Sequence, residues 1–395
     1  MNLRPFLAVV GLSASLSTTL LATTSALAQD SPIKVGVVAP MSGEFGVYGK
    51  QIENGINVFL RESGDLVGGR KVQIIYRDNH GPNPALAKRL AQELVTNDKV
   101  DVLAGFAFTP DAMAAAPIAT ESKRPLIAML SATSSVVGSS PYLVRTSYTI
   151  PQTAWPMGQW AAKSKIKRVF TLVSDYGPGY DAETWFKKGF TEGGGEIVGE
   201  VRVPVKNKDF APFLQRIRDA KPDAVFTFLP AGEPIIAFMK GFSERGMAQA
   251  GIKLLATEGW ADDDTLTAAG DAAIGAISTG YYSTANPSAL NKQFLANYQQ
   301  VSGGKLQPNF IAVAAYDGMR LLSDAVKRTG GKSEADGLMA AFKGAKLDSP
   351  RGPMTIDADT RDVVQTIYVR RVEKSGAGLK NVEFDQFVSV KDPGK

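Results

Sequence analysis

Short apolar runs alternate with stretches of helical periodicity along most of the chain. Residues 33–39, IKVGVVA, have the length and β-branched content of a strand buried on both faces of a parallel sheet. Residues 48–63 follow, with Ile52, Ile56, Phe59 and Leu60 on one face of a helix. Next come a strand over 71–77 and a helix from Pro84 with Leu86, Leu90 and Leu94 in register. A strand over 100–104, a helix over 109–122 and a strand over 126–130 complete the series. The pattern then restarts. Strands are predicted over 168–174, 198–203, 224–229 and 253–256, with helices over 180–192, 209–220 and 233–245 between them. Ala182, Trp185, Phe186 and Phe190 share one side of the first of these helices.

Strict alternation with apolar strands implies an α/β fold of two doubly wound parallel-sheet lobes with helices on both faces. Gly193-Gly194-Gly195 reads as a helix stop before the next strand rather than a phosphate loop. After Thr279 the pattern gives helices over 288–301 and 310–329, a shorter one over 334–342, and strands over 354–356 and 364–371. These late elements must return to lobes already begun, so the chain is expected to cross between lobes more than once through a multi-strand hinge. The expected division places residues 29–149 and 282–357 in an N-terminal lobe, and 150–281 and 358–395 in a C-terminal lobe.

The first residues have a different character. Arg4 precedes an apolar stretch from Phe6 to Leu21 that serines and threonines dilute, and Ala26-Leu27-Ala28 forms a small-x-small cleavage site. This is the layout of a secretory signal peptide over residues 1–28, which predicts export, most simply to a bacterial periplasm. Ser13, Ser15, Ser17, Thr18 and Thr19 interrupt the run too often for a membrane anchor.

Composition narrows the chemistry. There is no cysteine, which removes disulfides, thiolate catalysis and cysteine-based metal sites. A single histidine, His80, leaves no poly-histidine metal site, and its Asp78-Asn79-His80-Gly81-Pro82 setting reads as a surface turn. The formal charge of +5 is spread along the chain rather than gathered in a stripe, which argues against a nucleic-acid partner. No GxxxxGK[ST], GxSxG or HExxH motif is present. Asp262-Asp263-Asp264 reads as a helix N-terminus rather than a calcium loop. These features lean towards a binding protein without catalytic residues, cofactor or metal.

In open parallel sheets, ligands bind beyond the carboxyl ends of the strands. In the first half those loops contain Tyr48, then Phe106, Phe108 and Thr109, then Ser131-Ala132-Thr133. In the second half they contain Tyr176, the 229–233 stretch, and Glu258 with Trp260. Hydroxyls concentrate in half one and aromatics with one carboxylate in half two, which suits a small ligand with an anionic end and an apolar body. Thr109 before Pro110 predicts an N-cap, and a helix N-terminus receives a carboxylate readily. Thr133 adds a hydroxyl and an N–H, Ser131 a carbonyl, and Glu258 would pair with an ammonium. Phe226 and Phe228 share a strand face and read as core.

The segments IKVGVVAPMSGEFGVYGKQIENGINVFL, VDVLAGFAFTPDAMAAAPIA, PLIAMLSATSS, LVSDYGPGYDAETWFKKGF, DFAPFLQRIRDAKPDAVFTFLPAGE and LLATEGW occur in this order. Together they resemble the periplasmic solute-binding proteins of branched-chain amino-acid-type ABC importers, the leucine/isoleucine/valine-binding group with the type I periplasmic binding fold. The resemblance spans essentially the whole chain after residue 28. It implies that Thr109 and Thr133 hold a ligand carboxylate, that the Ser131 carbonyl and Glu258 hold an ammonium, and that Tyr48 and Tyr176 line the cleft. It also implies ABC permease subunits as partners and no enzymatic activity; the chain is expected to act as a monomer.

This chain departs from the pattern in places. Leu229-Pro230-Ala231 replaces a tyrosine often found there, and Phe106, Phe108 and Trp260 add bulk. Relatives that bind aromatic carboxylic acids fit such a cleft, whereas Glu258 without an ammonium would be left unpaired. Two ligand classes therefore stand at this point: an amino acid with an apolar or aromatic side chain, and a benzoate- or phenylpropanoate-type acid. A sensory ligand-binding module is a further alternative, since the fold also serves receptors; an exported hydrolase finds no nucleophile elbow.

Overall fold

The computed structural model describes Met1, residues 31–376 and residues 378–395. Residues 1–28, expected to be an export signal, lie outside the described residues apart from Met1. Residues Pro32–Lys395 form one compact unit.

The first half runs β1 (Ile33–Ala39), α1 (Gly46–Ser63), β2 (Leu66–Val67), β3 (Arg70–Asp78), α2 (Pro84–Thr96), β4 (Val102–Gly105), α3 (Thr109–Ser122), β5 (Leu126–Ala128) and β6 (Leu143–Arg145). Its sheet has the order β2-β3-β1-β4-β5-β6, with β1 parallel to both β3 and β4. Side chains alternate across it. Val35 and Val37 face the layer built with Ile52, Ile56 and Phe59 of α1, while Val38, Leu103 and Leu126 face α2 and α3.

The second half runs α4 (Ile150–Lys163), β7 (Arg168–Ser174), α5 (Gly177–Glu192), β8 (Glu196–Val203), α6 (Ala211–Ala220), β9 (Ala224–Phe228), α7 (Glu233–Glu244), β10 (Lys253–Ala256), α8 (Asp263–Ala269) and β11 (Ile277–Gly280). It continues through α9 (Ala289–Ser302), α10 (Phe310–Arg328), α11 (Ala335–Phe342), β12 (Lys346–Leu347), β13 (Met354–Ile356), β14 (Val363–Ser375) and β15 (Gly378–Val390). The second sheet has nine strands in the order β12-β13-β14-β11-β10-β9-β7-β8, with β15 beside β14. Strands β7 to β11 run parallel to one another, and β14 pairs antiparallel with β11, with β13 and β12 beyond it. This is the two-lobed type I periplasmic binding fold.

The chain leaves the first sheet after β6, builds the second through β11, returns to pack α9 and α10 on α1, and rejoins the second sheet at β12. The strands over 346–356 are hydrogen-bonded into the second sheet, so sheet pairing alone does not divide the chain at 357/358.

Helix α4 has no counterpart in the expected pattern. It is buried on nearly every side, so it lacks a polar face, and Pro156 sits inside it. Its start is nevertheless encoded: the Thr149 hydroxyl accepts from the Gln152 N–H at 3.3 Å, and the Gln152 side chain accepts from the Thr149 N–H at 2.9 Å. Helices α4 and α5 touch through glycines. A Cβ at Gly158 would lie 2.4 Å from the Phe186 carbonyl oxygen, and one at Gly189 2.4 Å from that of Trp155. Gly158→Ala is therefore expected to lower stability by about 1–3 kcal/mol, read as a lower thermal midpoint.

Candidate functional site

Each sheet has a point where its strand order reverses, between β1 and β4 in the first and between β7 and β9 in the second. Loops leaving such strands diverge and open a crevice beyond their carboxyl ends. Here the two crevices meet. One cavity is lined by Tyr48 after β1, Phe108 and Thr109 after β4, Tyr176 after β7 and Ala231 after β9. Its void measures about 50 Å³, several times the roughly 10–15 Å³ that admits one water.

Six of the cavity's lining residues are aromatic. Tyr48 stacks on Phe108 with centroids 5.6 Å apart and planes 15° apart, while Tyr176 lies 6.3 Å from Phe228. Tyr148 and Phe310 meet edge-on at 6.2 Å and close the side nearest the crossing strands. The Tyr48 hydroxyl donates to the Ala231 carbonyl at 3.3 Å, which ties the two lobes across the cavity. Glu44 and Lys206, 3.5 Å apart, and the Ser134 N–H on Asp181 at 3.1 Å add further ties. Burial holds the Tyr48, Tyr148 and Tyr176 hydroxyls well above the usual phenol range, so all three stay protonated.

The polar end lies at Thr109 and Thr133. The Thr109 hydroxyl donates to that of Thr133 at 2.9 Å. Thr109 is the first residue of α3 and Phe108 its cap, so the expected N-cap role is corrected. A threonine inside the first turn has its hydroxyl free for a neighbour rather than for its own helix. The start of α5 abuts the same pair: a Cβ at Gly177 would sit 3.7 Å from the Thr133 hydroxyl. Two helix starts thus lie beside two hydroxyls, and the partial positive charge of helix N-termini favours an anion there. Beneath it, buried Arg145 donates to the Thr133 carbonyl at 2.9 Å and pairs with Asp362 at 2.9 Å.

Glu258 lines the opposite part of the cavity and already has its partners. Its Oε1 accepts from Arg370 Nη1 at 3.0 Å, and its Oε2 accepts from the Tyr281 N–H at 2.5 Å. The premise that this carboxylate would be unpaired without a ligand ammonium is corrected by Arg370 of β14. Sequence reading had no signal for that residue, because it lies more than a hundred positions downstream in an otherwise ordinary strand.

Of the expected site residues, Tyr48, Phe108, Thr109, Ala132, Tyr176 and Glu258 line the cavity, and Thr133 joins through Thr109. Two do not. The Ser131 hydroxyl donates to the Phe106 carbonyl at 2.6 Å, beneath the surface of the cavity. It thereby holds Phe106, which has a left-handed φ of 58°, and turns the chain so that Phe108 and Thr109 face inward. Phe106 itself is buried against α2 and α3 rather than in the cleft. Trp260 is 1% exposed and packs edge-on against Phe238 of α7 at 5.9 Å, inside the outer core of the second lobe. Conversely, Phe228, read as core, lines the cavity, whereas its strand neighbour Phe226 is core.

Residues 32–377 match the family described as periplasmic binding protein. The chain belongs to that family. A leucine/isoleucine/valine-binding protein homologue of Brucella melitensis is 42% identical over 363 residues, covering 92% of this chain and 93% of the relative. A solute-binding protein of an ABC transporter from Rhodopseudomonas palustris BisB5, solved with 3,4-dihydroxybenzoic acid, is 52% identical with a TM-score of 0.88. The match covers 92% of this chain and 99% of that one. A second R. palustris solute-binding protein, solved with 4-hydroxybenzoate, is 44% identical with a TM-score of 0.89 over the same shares. This periplasmic binding protein is accordingly an ABC transporter solute-binding protein: it binds a small molecule, works with permease subunits, and is not an enzyme. Among the described residues no helix is long and apolar enough to cross a membrane.

Proposed function

We propose that this solute-binding protein captures a small aromatic carboxylate, of the hydroxybenzoate type, for uptake. The observation that carries the reading is the pairing of Glu258 with Arg370, which leaves an aromatic cavity with an anion-receiving end and no unmet need for a ligand ammonium. Thr109, Thr133 and the starts of α3 and α5 receive the carboxylate. Tyr48 and Phe108 from one lobe, with Tyr176 and Phe228 from the other, enclose the ring. A ring hydroxyl donates to Glu258, whose oxygens keep lone pairs beyond those used by Arg370 and Tyr281. The solved neighbours with 3,4-dihydroxybenzoic acid and 4-hydroxybenzoate support the same ligand class.

Ligand contacts on both lobes favour closure, because only the closed form makes them together. The reading also has residues 1–28 removed on export, which the small-x-small site at Ala26-Leu27-Ala28 supports.

A thermal-shift screen followed by calorimetry tests the ligand. At one hundred times its Kd a ligand adds about 2.7 kcal/mol of stability, which raises the midpoint by a few degrees. 4-Hydroxybenzoate and 3,4-dihydroxybenzoate are expected to do so, and leucine, isoleucine and valine are not. Stabilisation confined to the amino acids overturns the proposal.

A further inference from the structure

We infer that Arg370 sets the ligand class of this protein by occupying, from within the fold, the charge role that a ligand ammonium would otherwise fill. The inference rests on the ligand reading above and deepens it. Glu258 and Arg370 have side chains 4% and 2% exposed, and a carboxylate buried so deeply needs a cation. The fold supplies it. Arg370 Nη1 donates both to Glu258 and to the Tyr282 carbonyl. The pair also needs Gly280 of β11: a Cβ there would lie 2.1 Å from Glu258 Oε2 and 2.3 Å from Arg370 Nη2. Strand β11 thus leaves a notch for the ion pair where any other residue would fill it.

Arg370 does not line the main cavity, so it acts through Glu258 as a positioning residue. It lines a small neighbouring pocket of about 20 Å³ that shares Glu258 and Phe310 with the main one, and among the described residues its Nε and Nη2 have no hydrogen-bond partner. The far end of the site therefore carries spare donors and a neutralised acceptor. A neutral hydroxyl suits that environment; an ammonium meets a guanidinium of its own sign and is excluded. Asp262 and Asp263 also border the small pocket; burial raises both carboxyls above their ordinary range, and hydrogen bonds from Thr265, Asn309 and Thr284 engage them within the fold.

Reciprocal charge removal tests the inference by calorimetry with 4-hydroxybenzoate, 4-(aminomethyl)benzoate, phenylalanine and terephthalate. Wild type is expected to bind neither amine. Arg370→Gln uncovers Glu258 and gains at least tenfold for an amine-bearing acid, while 4-hydroxybenzoate weakens at least tenfold. Arg370→Lys keeps the wild-type preference. Glu258→Gln uncovers Arg370 instead and gains at least tenfold for terephthalate, so a poorly folded Arg370→Gln leaves the inference open to a second measurement. Amine binding by wild type, or a lack of gain in both neutral variants, overturns it. If wild type ignores hydroxybenzoates while Arg370→Gln gains the amine, the ligand reading fails and the role of Arg370 stands.

Discussion

Arg351→Met is expected to lower the free energy of unfolding by about 3–5 kcal/mol, measured by urea denaturation, because it strands a buried carboxylate. Arg351 is 2% exposed and its guanidinium reaches segments on both sides of the hinge. Nε and Nη2 donate to Asp317 of α10 at 2.9 and 2.6 Å. Nη1 donates to the Ser147 carbonyl and to Gln365 of β14, each at 2.9 Å, and Nη2 also donates to the Thr146 carbonyl. The guanidinium stands 4.5 Å from the centre of the Tyr281 ring, just after β11. One cation thus joins the first crossing at 146–147, the second near 281, and the strands that follow the return at β12. Burial already holds the Asp317 carboxyl above its ordinary range, and removing its cation leaves only the Ser349 hydroxyl at 2.8 Å and the charge of Arg320 to offset it. The double variant Arg351→Met with Asp317→Leu is expected to recover most of the loss, since apolar replacement of a whole buried pair is often neutral. A single-variant loss below about 1 kcal/mol would show that the crossings hold together without this residue.

The same network explains which parts of the fold were legible. Helix α3 was readable to the residue from its Thr-Pro start and alanine-rich body, and β1 from its apolar run, because each satisfies local rules and packs as those rules imply. Helix α4 was not, since near-complete burial erases the polar face that periodicity detects. Strand β15 was not, since it is largely exposed and polar, and owes its existence to β14 beside it.

The site divides along the same line. Tyr48, Phe108, Thr109 and Tyr176 follow parallel strands and line one cavity because the topology brings those strand ends together. Which way a side chain turns within its loop is decided by packing. Trp260 fills a hole beside Phe238, and the Ser131 hydroxyl turns back to the Phe106 carbonyl. Arg370 enters from β14 and Tyr148 from the segment between β6 and α4, whose positions depend on the assembled hinge rather than on any local pattern.

Thr109→Val is expected to weaken 4-hydroxybenzoate binding by about 10- to 150-fold in calorimetry, which corresponds to the roughly 1.5–3 kcal/mol of a charge-assisted hydrogen bond. The change keeps the shape of the side chain and removes only the hydroxyl. That hydroxyl is one of the two facing the proposed carboxylate, and it also sets the direction of its partner, since it donates to Thr133 at 2.9 Å. Valine leaves the Thr133 hydroxyl free to rotate, so the second contact loosens with the first. Thr109→Ser keeps the hydroxyl at the same place in the first turn of α3 and is expected to bind within about threefold of wild type. The ligand-free melting midpoint of Thr109→Val should fall by no more than a few degrees, because the two bonds lost, to the Thr133 hydroxyl and from its N–H at 3.4 Å, are neutral and contribute only about 0.5–1.5 kcal/mol each. Unchanged affinity in Thr109→Val would move the carboxylate away from the starts of α3 and α5. It would leave the aromatic walls as the main source of binding.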